Sequence, residues 1–302
     1  MKFAIIGLGK MGLNLAKNAA DNGIDVVAYD LNETAVQEAN QYSEHITGVT
    51  TIDAMLSELP TPKIVWVMVP AGKATNSTIE MLSEKLTAGD ILIDGGNSNY
   101  KDNLVQNEFL SEKGIKFFDA GTSGGMDGAR NGGNFMVGGD DKAAWTVIEP
   151  IFAALAQEDG YLYTGKLGSG HYLKMIHNGI EYGMMQAIAE GFEILEASDF
   201  DYDYEAVAKL WNHGSVIRGW LMELAEEQFA KDPKLDAIAG RVQASGEGKW
   251  TIEESLDLAV PAPVIALSLM MRNRSLQDDT MTGKVVAALR NGFGGHDVTK
   301  SK

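Results

Sequence analysis

The stretch FAIIGLGKMGLNLAKNAADNGIDVVAYD, from Phe3 to Asp30, decides the fold of this chain. It begins with FAIIG, a short apolar run, and ends with DVVAYD, a second run rich in β-branched residues. The residues between the two runs carry apolar side chains at helical spacing and stop at a glycine, as helices often do. A strand, a helix and a second strand in this order predict a βαβ unit, which joins parallel strands.

The same alternation continues along the first half of the chain. Further strand-like runs are KIVWVMV (63–69), DILIDGG (90–96) and IKFFDAG (115–121), with helical patterns between them. Because these runs are nearly continuous in apolar residues, they are typical of a parallel sheet covered on both faces. NFMVGGDD, AAWTVIEPIFAAL and GYLYTG extend the pattern to about residue 165. We therefore predict an α/β Rossmann-type domain with a doubly wound parallel sheet over residues 1–165.

Beyond residue 165 the strand signals almost vanish. Helical patterns cover most of the remaining chain, over residues 171–198, 203–231, 234–245, 251–257 and 262–290. They predict an all-α C-terminal domain over residues 166–302, which would bind the substrate and end in a tail. Apolar stretches such as PVIALSLMM would stay uncovered in one short helical domain, which predicts a homodimer or homotetramer.

The composition narrows the classes of partner. The chain has 302 residues and a formal net charge of -17, which disfavours nucleic acid and anionic membranes. It has no cysteine, so disulfides and thiolate metal sites are excluded. No apolar run reaches the length of about 18 residues that a membrane helix needs, and the N-terminus lacks a signal-peptide pattern. We expect a cytoplasmic protein that acts on a small molecule.

The motif GLGKMG follows the first predicted strand directly and opens the first predicted helix. At these positions Gly7 allows a tight turn, Gly9 lets the backbone approach a pyrophosphate, and Gly12 permits close packing of helix and strand. The helix N-terminus adds unpaired N–H groups and a favourable dipole for an anion. The motif therefore predicts a dinucleotide site, to which we assign Gly7, Leu8, Gly9, Met11 and Gly12.

Asp30 ends the second predicted strand, close to the expected distance of about 20 residues beyond the glycine motif. Its carboxylate would accept hydrogen bonds from the ribose hydroxyls of NAD and would repel the 2′-phosphate of NADP. We predict NAD as the cofactor, with NADP as the alternative. Asp30 is also consistent with a cap of the next helix, in competition with Asn32.

Two more glycine-rich loops follow predicted strands, DGGNS at 94–98 and AGTSGG at 120–125. In open α/β sheets, ligands bind outside the carboxyl ends of the strands. Each loop offers backbone N–H groups and a hydroxyl or amide side chain, so together they could hold a carboxylate and a nicotinamide ring. Either loop alone is also typical of an ordinary turn.

The stretch KMIHNGIEYG, at 174–183, carries five polar residues on one face of a predicted helix. Apolar residues such as Leu173, Ile180 and Met184 fall on a separate side, so we expect the polar face to lie outside the core, towards solvent or a cleft. The two glycines of the stretch favour the cleft, because glycine permits close approach. The five polar residues are Lys174, His177, Asn178, Glu181 and Tyr182.

The motifs GLGKMG, DGGNS, GTSGG and KMIHNGIEYG are followed by GEGKW (246–250), LMMRNRS (269–275) and LRNGFGGH (289–296). In this order, along nearly the whole chain, they resemble the decarboxylating 6-phosphogluconate dehydrogenases of the 3-hydroxyacid dehydrogenase superfamily. The resemblance implies oxidation of the 3-hydroxyl of 6-phosphogluconate, decarboxylation of the β-keto acid, and protonation of an enediol to ribulose 5-phosphate. It implies no metal.

The resemblance also implies roles for individual residues. Lys174 would be the base that takes the hydroxyl proton, and Glu181 would be the acid that protonates the enediol carbon. His177 and Asn178 would orient the substrate hydroxyls, and Asn97 would lie between substrate and nicotinamide. The other implied ligands are Ser123, Gly124 and Gly125 for the carboxylate, Tyr182, Lys249, Arg272 and Arg290 for the phosphate, and His296 for the sugar.

The chain departs from the long form of the family in two ways. It is markedly shorter, and it has Asp30 where the NADP-using long form has a basic motif. The shorter length leaves open whether Arg290 and His296 complete their own site or that of a neighbouring subunit. Arg272 and Arg274 compete for one role at the phosphate, and the motif alignment favours Arg272.

Other functions remain open from the sequence. A non-decarboxylating 3-hydroxyacid dehydrogenase or 2-hydroxy-3-oxopropionate reductase would keep Lys174 and Asn178 without needing Glu181 or the phosphate-binding cations. A non-catalytic dinucleotide-binding protein would be free to lose some of these residues. The sequence does not separate a role in the pentose phosphate pathway from one in gluconate utilization.

Overall fold

The computed structural model describes residues 1–300 of the chain. Contacts divide the chain into two units, residues 1–177 and 178–302, which we call the sheet unit and the helical unit. The division falls inside one long helix. The predicted domain boundary after residue 165 stays a prediction.

The sheet unit contains one sheet of eight strands. The strands are β1 (Lys2–Ile6), β2 (Asp25–Tyr29), β3 (Ile46–Val49), β4 (Ile64–Val67), β5 (Ile91–Asp94), β6 (Lys116–Ser123), β7 (Gly133–Gly139) and β8 (Ala156–Gly165). Their order in the sheet is β3-β2-β1-β4-β5-β6-β7-β8, so the order along the chain reverses between β1 and β4. This reversal is typical of doubly wound folds, and the predicted fold class is confirmed.

One pair of strands departs from the predicted parallel sheet. β6 and β7 pair antiparallel, whereas the other neighbouring strands pair parallel. Residues 124–132 connect β6 to β7. This connection is shorter than the crossover of about a dozen residues that parallel strands require, so the chain has to reverse its direction.

Seven helices alternate with the strands in the sheet unit. They are α1 (Lys10–Asp21), α2 (Glu33–Tyr42), α3 (Ile52–Ser57), α4 (Lys73–Ser83), α5 (Tyr100–Glu112), α6 (Gly125–Asn131) and α7 (Lys142–Leu155). Four of them begin at a side chain that accepts a backbone N–H hydrogen bond: Asn32, Thr51, Asn99 and Asp141. The sequence patterns missed β3, α3 and α6, which are short and lack the continuous apolar run that marks the equally short β4 and β5.

Both faces of the sheet are covered by apolar side chains. Consecutive residues of β1 point to opposite faces, so Phe3 and Ile5 lie in one core whereas Ala4 and Ile6 lie in the other. The first core contains Trp66, whose indole ring lies 5.0 Å from the Phe152 ring between centroids. This arrangement explains why the strands are nearly continuous in apolar residues.

The helical unit starts within α8, and the secondary structure of its described residues, up to 300, is helical. The helices are α8 (Ser169–Glu196), α9 (Tyr204–Asn212), α10 (Trp220–Lys231), α11 (Gly246–Asp257), α12 (Pro263–Ser275) and α13 (Met281–Gly294). Its core is formed by aromatic and apolar side chains of α8, α9 and α10, among them Phe192, Tyr204 and Phe229. Among residues 1–300, no helix combines the length and the apolar character needed to cross a membrane.

The predicted helix over residues 234–245 is wrong. Leu235 has a left-handed backbone with a φ of 52°, and the Asp232 carboxylate accepts a hydrogen bond from the Ala237 N–H at 2.9 Å. A side chain that binds the backbone in this way competes with helix formation. The predicted span 262–290 is interrupted as well, because Asp279 has a φ of 46° between α12 and α13.

Candidate functional site

The three glycines of the GLGKMG motif have different roles in the packing. Gly7 has a φ of 100°, and a Cβ atom there would lie 2.7 Å from the carbonyl oxygen of Met68. A Cβ atom at Gly12 would lie 1.9 Å from the carbonyl oxygen of Gly7. At Gly9, by contrast, an added Cβ would meet no atom of the described chain within 4 Å. The packing of the chain therefore requires Gly7 and Gly12, whereas Gly9 leaves open space above the turn.

Asp30 is held against this turn. Its Oδ2 accepts a hydrogen bond from the Leu8 N–H at 2.6 Å, and its Oδ1 accepts one from the Asn32 N–H at 2.8 Å. Asn32 caps α2 by accepting from the Thr34 N–H at 3.0 Å, so the alternative in which Asp30 caps α2 is wrong. Within residues 1–300, no side chain caps the N-terminus of α1 at Gly9. Open backbone, free helix N–H groups and a fixed acid fit a dinucleotide with a ribose diol.

The DGGNS loop turns sharply after β5. Asp94 accepts a hydrogen bond from the Gly96 N–H at 2.9 Å, and a Cβ atom at Gly95 would lie 2.3 Å from the Trp66 indole nitrogen. Asn97 has a left-handed backbone with a φ of 53° and is exposed, whereas Ser98 is buried. The loop therefore presents the Asn97 amide at the carboxyl end of β5, where the sequence predicts a ligand.

The GTSGG loop and the start of α8 meet at the carboxyl end of β6. The Ser123 hydroxyl lies 3.1 Å from Nε2 of His177, within hydrogen-bond distance. A Cβ atom at Gly121 would lie 2.4 Å from Cβ of Lys174, so this glycine lets the lysine lie directly on the strand. Lys174 is buried, with 6% of its surface exposed. The structure thus brings together three predicted site residues from two distant stretches of sequence.

The expectation that the polar side of α8 lies outside the core is wrong. Lys174, Asn178 and Tyr182 are all buried, whereas Ile180 and Met184 on the apolar side are each 52% exposed. Helix periodicity separates the two sides correctly but does not say which of them packs inward. Between residues 173 and 184 of α8, the polar side is thus more buried than the apolar side, with His177 and Glu181 partly buried.

The two glycines of α8 have a packing role. A Cβ atom at Gly179 would lie 2.7 Å from the Thr251 side chain of α11, and one at Gly183 would lie 3.2 Å from the Val264 side chain of α12. The sequence suggested close approach at these glycines and favoured a cleft. The neighbours that approach are helices of the helical unit.

Tyr182 and Arg272 form one cluster in the helical unit. The Arg272 guanidinium carbon lies 3.5 Å from the centroid of the Tyr182 ring, a cation–π contact. The Tyr182 hydroxyl accepts a hydrogen bond from the Ser245 N–H at 2.9 Å and lies 2.8 Å from the Ser245 hydroxyl. Arg274 donates instead to the Gln277 carbonyl at 2.6 Å, at the end of its own helix. The guanidinium that joins Tyr182 is therefore that of Arg272.

The other predicted phosphate ligands, and the predicted sugar ligand His296, are exposed. Lys249 in α11 pairs with Glu253 one turn further on, at 3.3 Å, and its side chain is 69% exposed. Arg290 is an exposed residue of α13, and the exposed His296 follows that helix. The His296 carbonyl accepts a hydrogen bond from the Asn291 amide at 2.8 Å. The structure of the helical unit thus joins Tyr182 to Arg272, while these three residues face outward.

Two family models match consecutive parts of the chain. Residues 2–168 match the NAD binding domain of 6-phosphogluconate dehydrogenase, and residues 170–291 match the 6-phosphogluconate dehydrogenase C-terminal domain. The chain belongs to the 6-phosphogluconate dehydrogenase family. The family that the sequence motifs resemble is thereby confirmed.

Some relatives match this chain over nearly their whole length, and others are longer than this chain. A Bacillus subtilis protein named "Putative 6-phosphogluconate dehydrogenase YqeC" is 57% identical over 300 residues, which cover 99% of this chain and 100% of the relative. A Haloferax volcanii protein named "6-phosphogluconate dehydrogenase, NAD(+)-dependent, decarboxylating" is 40% identical over 302 residues, which cover 99% of each chain.

A solved structure of Plasmodium falciparum 6-phosphogluconate dehydrogenase, described in apo form and with NADP+ and 6-phosphogluconate, has a TM-score of 0.84 and 29% identity. It covers 100% of this chain, whereas this chain covers 66% of that one. The predicted short form, the oxidoreductase class and the nicotinamide dinucleotide cofactor agree with these findings.

Sequence reasoning missed a set of buried polar residues beside the 6-phosphogluconate dehydrogenase motifs. His171, for which the sequence suggested no role, is 2% exposed, and its Nδ1 lies 2.7 Å from Oδ1 of Asn103. Asp119 is fully buried, and this burial raises the pKa of its carboxyl above the usual value. His171 and the backbone N–H groups of His171 and Gly168 oppose the shift without cancelling it. The signal that could have found Asp119 is an acid inside an otherwise apolar strand, IKFFDAG.

Proposed function

We propose that this protein catalyses the NAD-dependent oxidative decarboxylation of 6-phosphogluconate to ribulose 5-phosphate and carbon dioxide. The observation that carries the proposal is the position of Lys174, buried on Gly121 beside the Ser123–His177 pair. A buried lysine whose stem packs on Gly121, two residues before Ser123 in the strand, and which lies three residues before His177 in the helix, fits a base for a substrate hydroxyl. The name of the Haloferax volcanii relative supports the decarboxylating reaction and NAD.

The sheet unit supplies the residues that would hold NAD. Its pyrophosphate would approach the open backbone at Gly9 and the N-terminus of α1, and its ribose diol would bind Asp30. When bound, NAD supplies the acceptor for the hydride that leaves C3 of the substrate. Asn97, exposed at the end of the DGGNS loop, is proposed to orient the substrate beside the nicotinamide.

Lys174 and Glu181 divide the proton transfers in this proposal. The neutral Lys174 amine takes the proton of the C3 hydroxyl as the hydride leaves that carbon. When the carboxylate leaves as carbon dioxide, its bonding electrons form the enediol double bond, and Lys174 returns its proton to the C3 oxygen. Glu181 then donates a proton to the carbon that lost the carboxylate, while Lys174 takes back the proton of the C3 hydroxyl, which restores the ketone of ribulose 5-phosphate. His177 and Asn178 are proposed to orient the substrate hydroxyls.

The charged ends of the substrate require separate binding groups. Ser123, Gly124 and Gly125 are proposed to hold the carboxylate, because Gly124 and Gly125 begin α6 with left-handed backbones at φ 107° and 59°. Arg272, stacked on Tyr182, is proposed to bind the phosphate. The further phosphate and sugar ligands that we propose are Lys249, Arg290 and His296.

The helical unit also supports the proposal of a homodimer or homotetramer. Exposed apolar residues follow one another along α13, including Val285, Leu289 and Phe293 at 46%, 61% and 78% exposure. Apolar side chains on this scale are typical of a surface that a second copy covers. The cytoplasmic location and the pathway in which the protein acts stay predictions.

The test is reduction of NAD and of NADP with 6-phosphogluconate, with carbon dioxide release measured in the same samples. Carbon dioxide in equal amount to the reduced cofactor, with faster turnover of NAD, is the expected result. Reduction of cofactor without carbon dioxide would contradict the decarboxylation and assign the protein to the simple 3-hydroxyacid dehydrogenases. No turnover with either cofactor would contradict the proposed reaction as a whole.

A further inference from the structure

A chain of three buried polar side chains joins β5 to the first turn of α8. The Asp94 carboxylate accepts a hydrogen bond from Nδ2 of Asn103 at 2.7 Å, through its Oδ2. Oδ1 of the same amide lies 2.7 Å from Nδ1 of His171. Asp94 and Asn103 are fully buried, and His171 is 2% exposed. Each link has the length of a strong hydrogen bond in a place without solvent.

The direction of these hydrogen bonds assigns the protons of His171. The Asn103 amide uses its N–H toward Asp94, so the atom that faces His171 is a carbonyl oxygen. Nδ1 of His171 must therefore carry a proton and donate it. Nε2 of the same ring is buried and has no hydrogen-bond partner among residues 1–300. The Nδ1–H is thus the group that holds the ring in place, through its hydrogen bond to Asn103.

The backbone of the same turn is held by a second carboxylate. The two oxygens of Asp119 accept hydrogen bonds from the Gly168 N–H and the His171 N–H, each at 2.6 Å. Asp119 lies on β6 directly opposite Asp94 on β5 in the parallel pairing. His171 is therefore fixed through its backbone to β6 and through its side chain, by way of Asn103, to β5.

Glycines on both sides of the contact between the sheet and the first turn of α8 leave this turn no room to shift. A Cβ atom at Gly170 would lie 2.4 Å from the Met136 carbonyl oxygen, and one at Gly138 would lie 2.5 Å from Oδ1 of Asp119. Backbone therefore packs directly on backbone at the start of the helix. Lys174 lies on Gly121 a little less than one full turn beyond His171, so the rotation of this turn sets the position of the lysine amine.

The same carboxylate of β5 also reaches the substrate loop. While Oδ2 of Asp94 binds Asn103, its Oδ1 accepts the N–H of Gly96, the residue before Asn97. One buried acid thus joins the loop that presents Asn97 to the helix turn that presents Lys174. An apolar contact would bury area equally well, but it would not fix a rotation or a register in this way.

We propose that His171 is a positioning residue. Through the hydrogen-bond chain to Asn103 and Asp94, it fixes the turn of α8 that carries Lys174 relative to the loop that carries Asn97. This inference rests on the proposed function, because its consequence is read in the turnover of 6-phosphogluconate. A displacement of about 1 Å at a reacting group costs on the order of 100-fold in rate. Loss of this hydrogen-bond chain therefore lowers kcat, while the turn from Gly7 to Gly12, which we propose to bind NAD, is unchanged.

The test compares two replacements of His171 that differ in where they place an amide. His171→Asn carries an N–H at the δ position and can still donate to Asn103, whereas His171→Gln carries its amide at the ε position. We expect His171→Gln to lower kcat by about 10- to 100-fold, with the dissociation constant for NAD within about twofold of the wild type. His171→Asn is expected to recover most of kcat.

A matched control separates positioning from general loss of structure. Asp90 is another fully buried carboxylate, at the opposite end of β5, and it accepts N–H bonds from Lys63 and Thr87 at 2.8 Å each. Asp90→Asn is expected to lower the unfolding temperature without a selective loss of kcat. Hydrogen exchange of the amides in residues 169–177 should speed up in His171→Gln and stay near the wild type in Asp90→Asn.

The possible failures are distinguishable. If the wild type turns over 6-phosphogluconate and His171→Gln keeps its kcat, the positioning role is overturned. The same holds if His171→Asn is as slow as His171→Gln, or if the exchange of residues 169–177 does not change. If the wild type itself shows no turnover, the failure is that of the proposed function, and the positioning role of His171 in that reaction is overturned with it.

Discussion

The strands of the sheet unit and helices α12 and α13 of the helical unit differ in the burial of their apolar residues. Strands β1, β4 and β5 are buried on both faces, and Trp66 at the centre of the sheet is fully buried. In α12, by contrast, Ser268 is the one buried residue of the 13, and none of the described residues of α13 is buried. Apolar residues therefore form a core in the strands of the sheet unit, whereas in α12 and α13 they are not buried, which is typical of a surface that another chain covers.

Helix α8 contains the same contrast within one element. Its polar residues Lys174 and Tyr182 are 6% and 4% exposed, while the apolar Ile180 and Met184 are exposed. At the start of the helix, glycines of β6 and β7 let backbone and the stem of Lys174 pack on the sheet. Burial of the polar side is consistent with a site built on a rigid support, and exposure of the apolar side is consistent with a partner subunit.

The largest effect is expected for Lys174→Ala, which removes the amine of the side chain whose stem packs on Gly121. Turnover of 6-phosphogluconate should fall by about 10³-fold or more, because general base catalysis contributes on the order of 10² to 10⁴. Binding of NAD, measured by tryptophan fluorescence, should stay within about twofold of the wild type. Lys142→Ala, at an exposed position of α7, is the control. Wild-type turnover in Lys174→Ala would exclude this lysine as the base.

The next effect is expected for Gly121→Ala, which places a Cβ atom 2.4 Å from Cβ of Lys174. Overpacking of this kind costs about 1 to 3 kcal/mol of unfolding free energy, and displacement of the lysine should lower kcat as well. Urea unfolding and steady-state kinetics on the same preparations measure both effects.

The matched control for Gly121→Ala is Gly191→Ala in the same helix as Lys174. A Cβ atom at Gly191 would meet no atom of the described chain within 4 Å. Alanine in a helix interior should stabilise the protein by about 0.5 to 1 kcal/mol. If Gly121→Ala behaves like Gly191→Ala, the close packing of α8 on β6 does not position the lysine.

A smaller effect on stability, but a clear one on assembly, is expected for Leu289→Glu in the exposed stripe of α13. A charge placed in an apolar interface should weaken association by about 2 kcal/mol, roughly 30-fold in the dissociation constant. Sedimentation velocity should then show smaller species, with the helical content unchanged. Thr282→Glu, a polar and exposed residue of the same helix, is the control. An unchanged assembly in Leu289→Glu would show that this face of α13 does not associate.

The smallest effect is expected for Arg272→Lys in the helical unit. Lysine keeps the charge but loses the planar guanidinium that stacks on Tyr182 and that we propose to bind phosphate through two N–H groups. The Michaelis constant for the phosphorylated substrate should rise by about 5- to 10-fold, equivalent to about 1 to 1.4 kcal/mol, with little change in kcat. Arg274→Lys should leave the Michaelis constant unchanged, since Arg274 binds the Gln277 carbonyl. Equal effects of the two substitutions would contradict the choice of Arg272.

Much of the fold and part of the site could be predicted from local patterns. The strands of the first half, the GLGKMG turn and the acid at Asp30 were predicted because each depends on spacing within a few residues or within one βαβ unit. The patterns failed where a segment was short and had no continuous apolar run, as in β3 and α6, or where a side chain competed for the backbone, as Asp232 does in residues 232–237. The roles of the predicted site residues stay predictions, although Ser123, Lys174 and His177 lie together.

The sequence by itself determined the alternation of the longer strands and helices in the first half, the glycine turn after β1 and the family, because these depend on residue types at short, regular spacing. The tertiary structure alone decided which side of α8 is buried and which polar residues support Lys174. Asn103 and His171 are 68 positions apart, and Asp119 and His171 are 52 apart, so no local period connects them. They meet because the parallel sheet brings the carboxyl ends of β5 and β6 to one edge, where α8 begins.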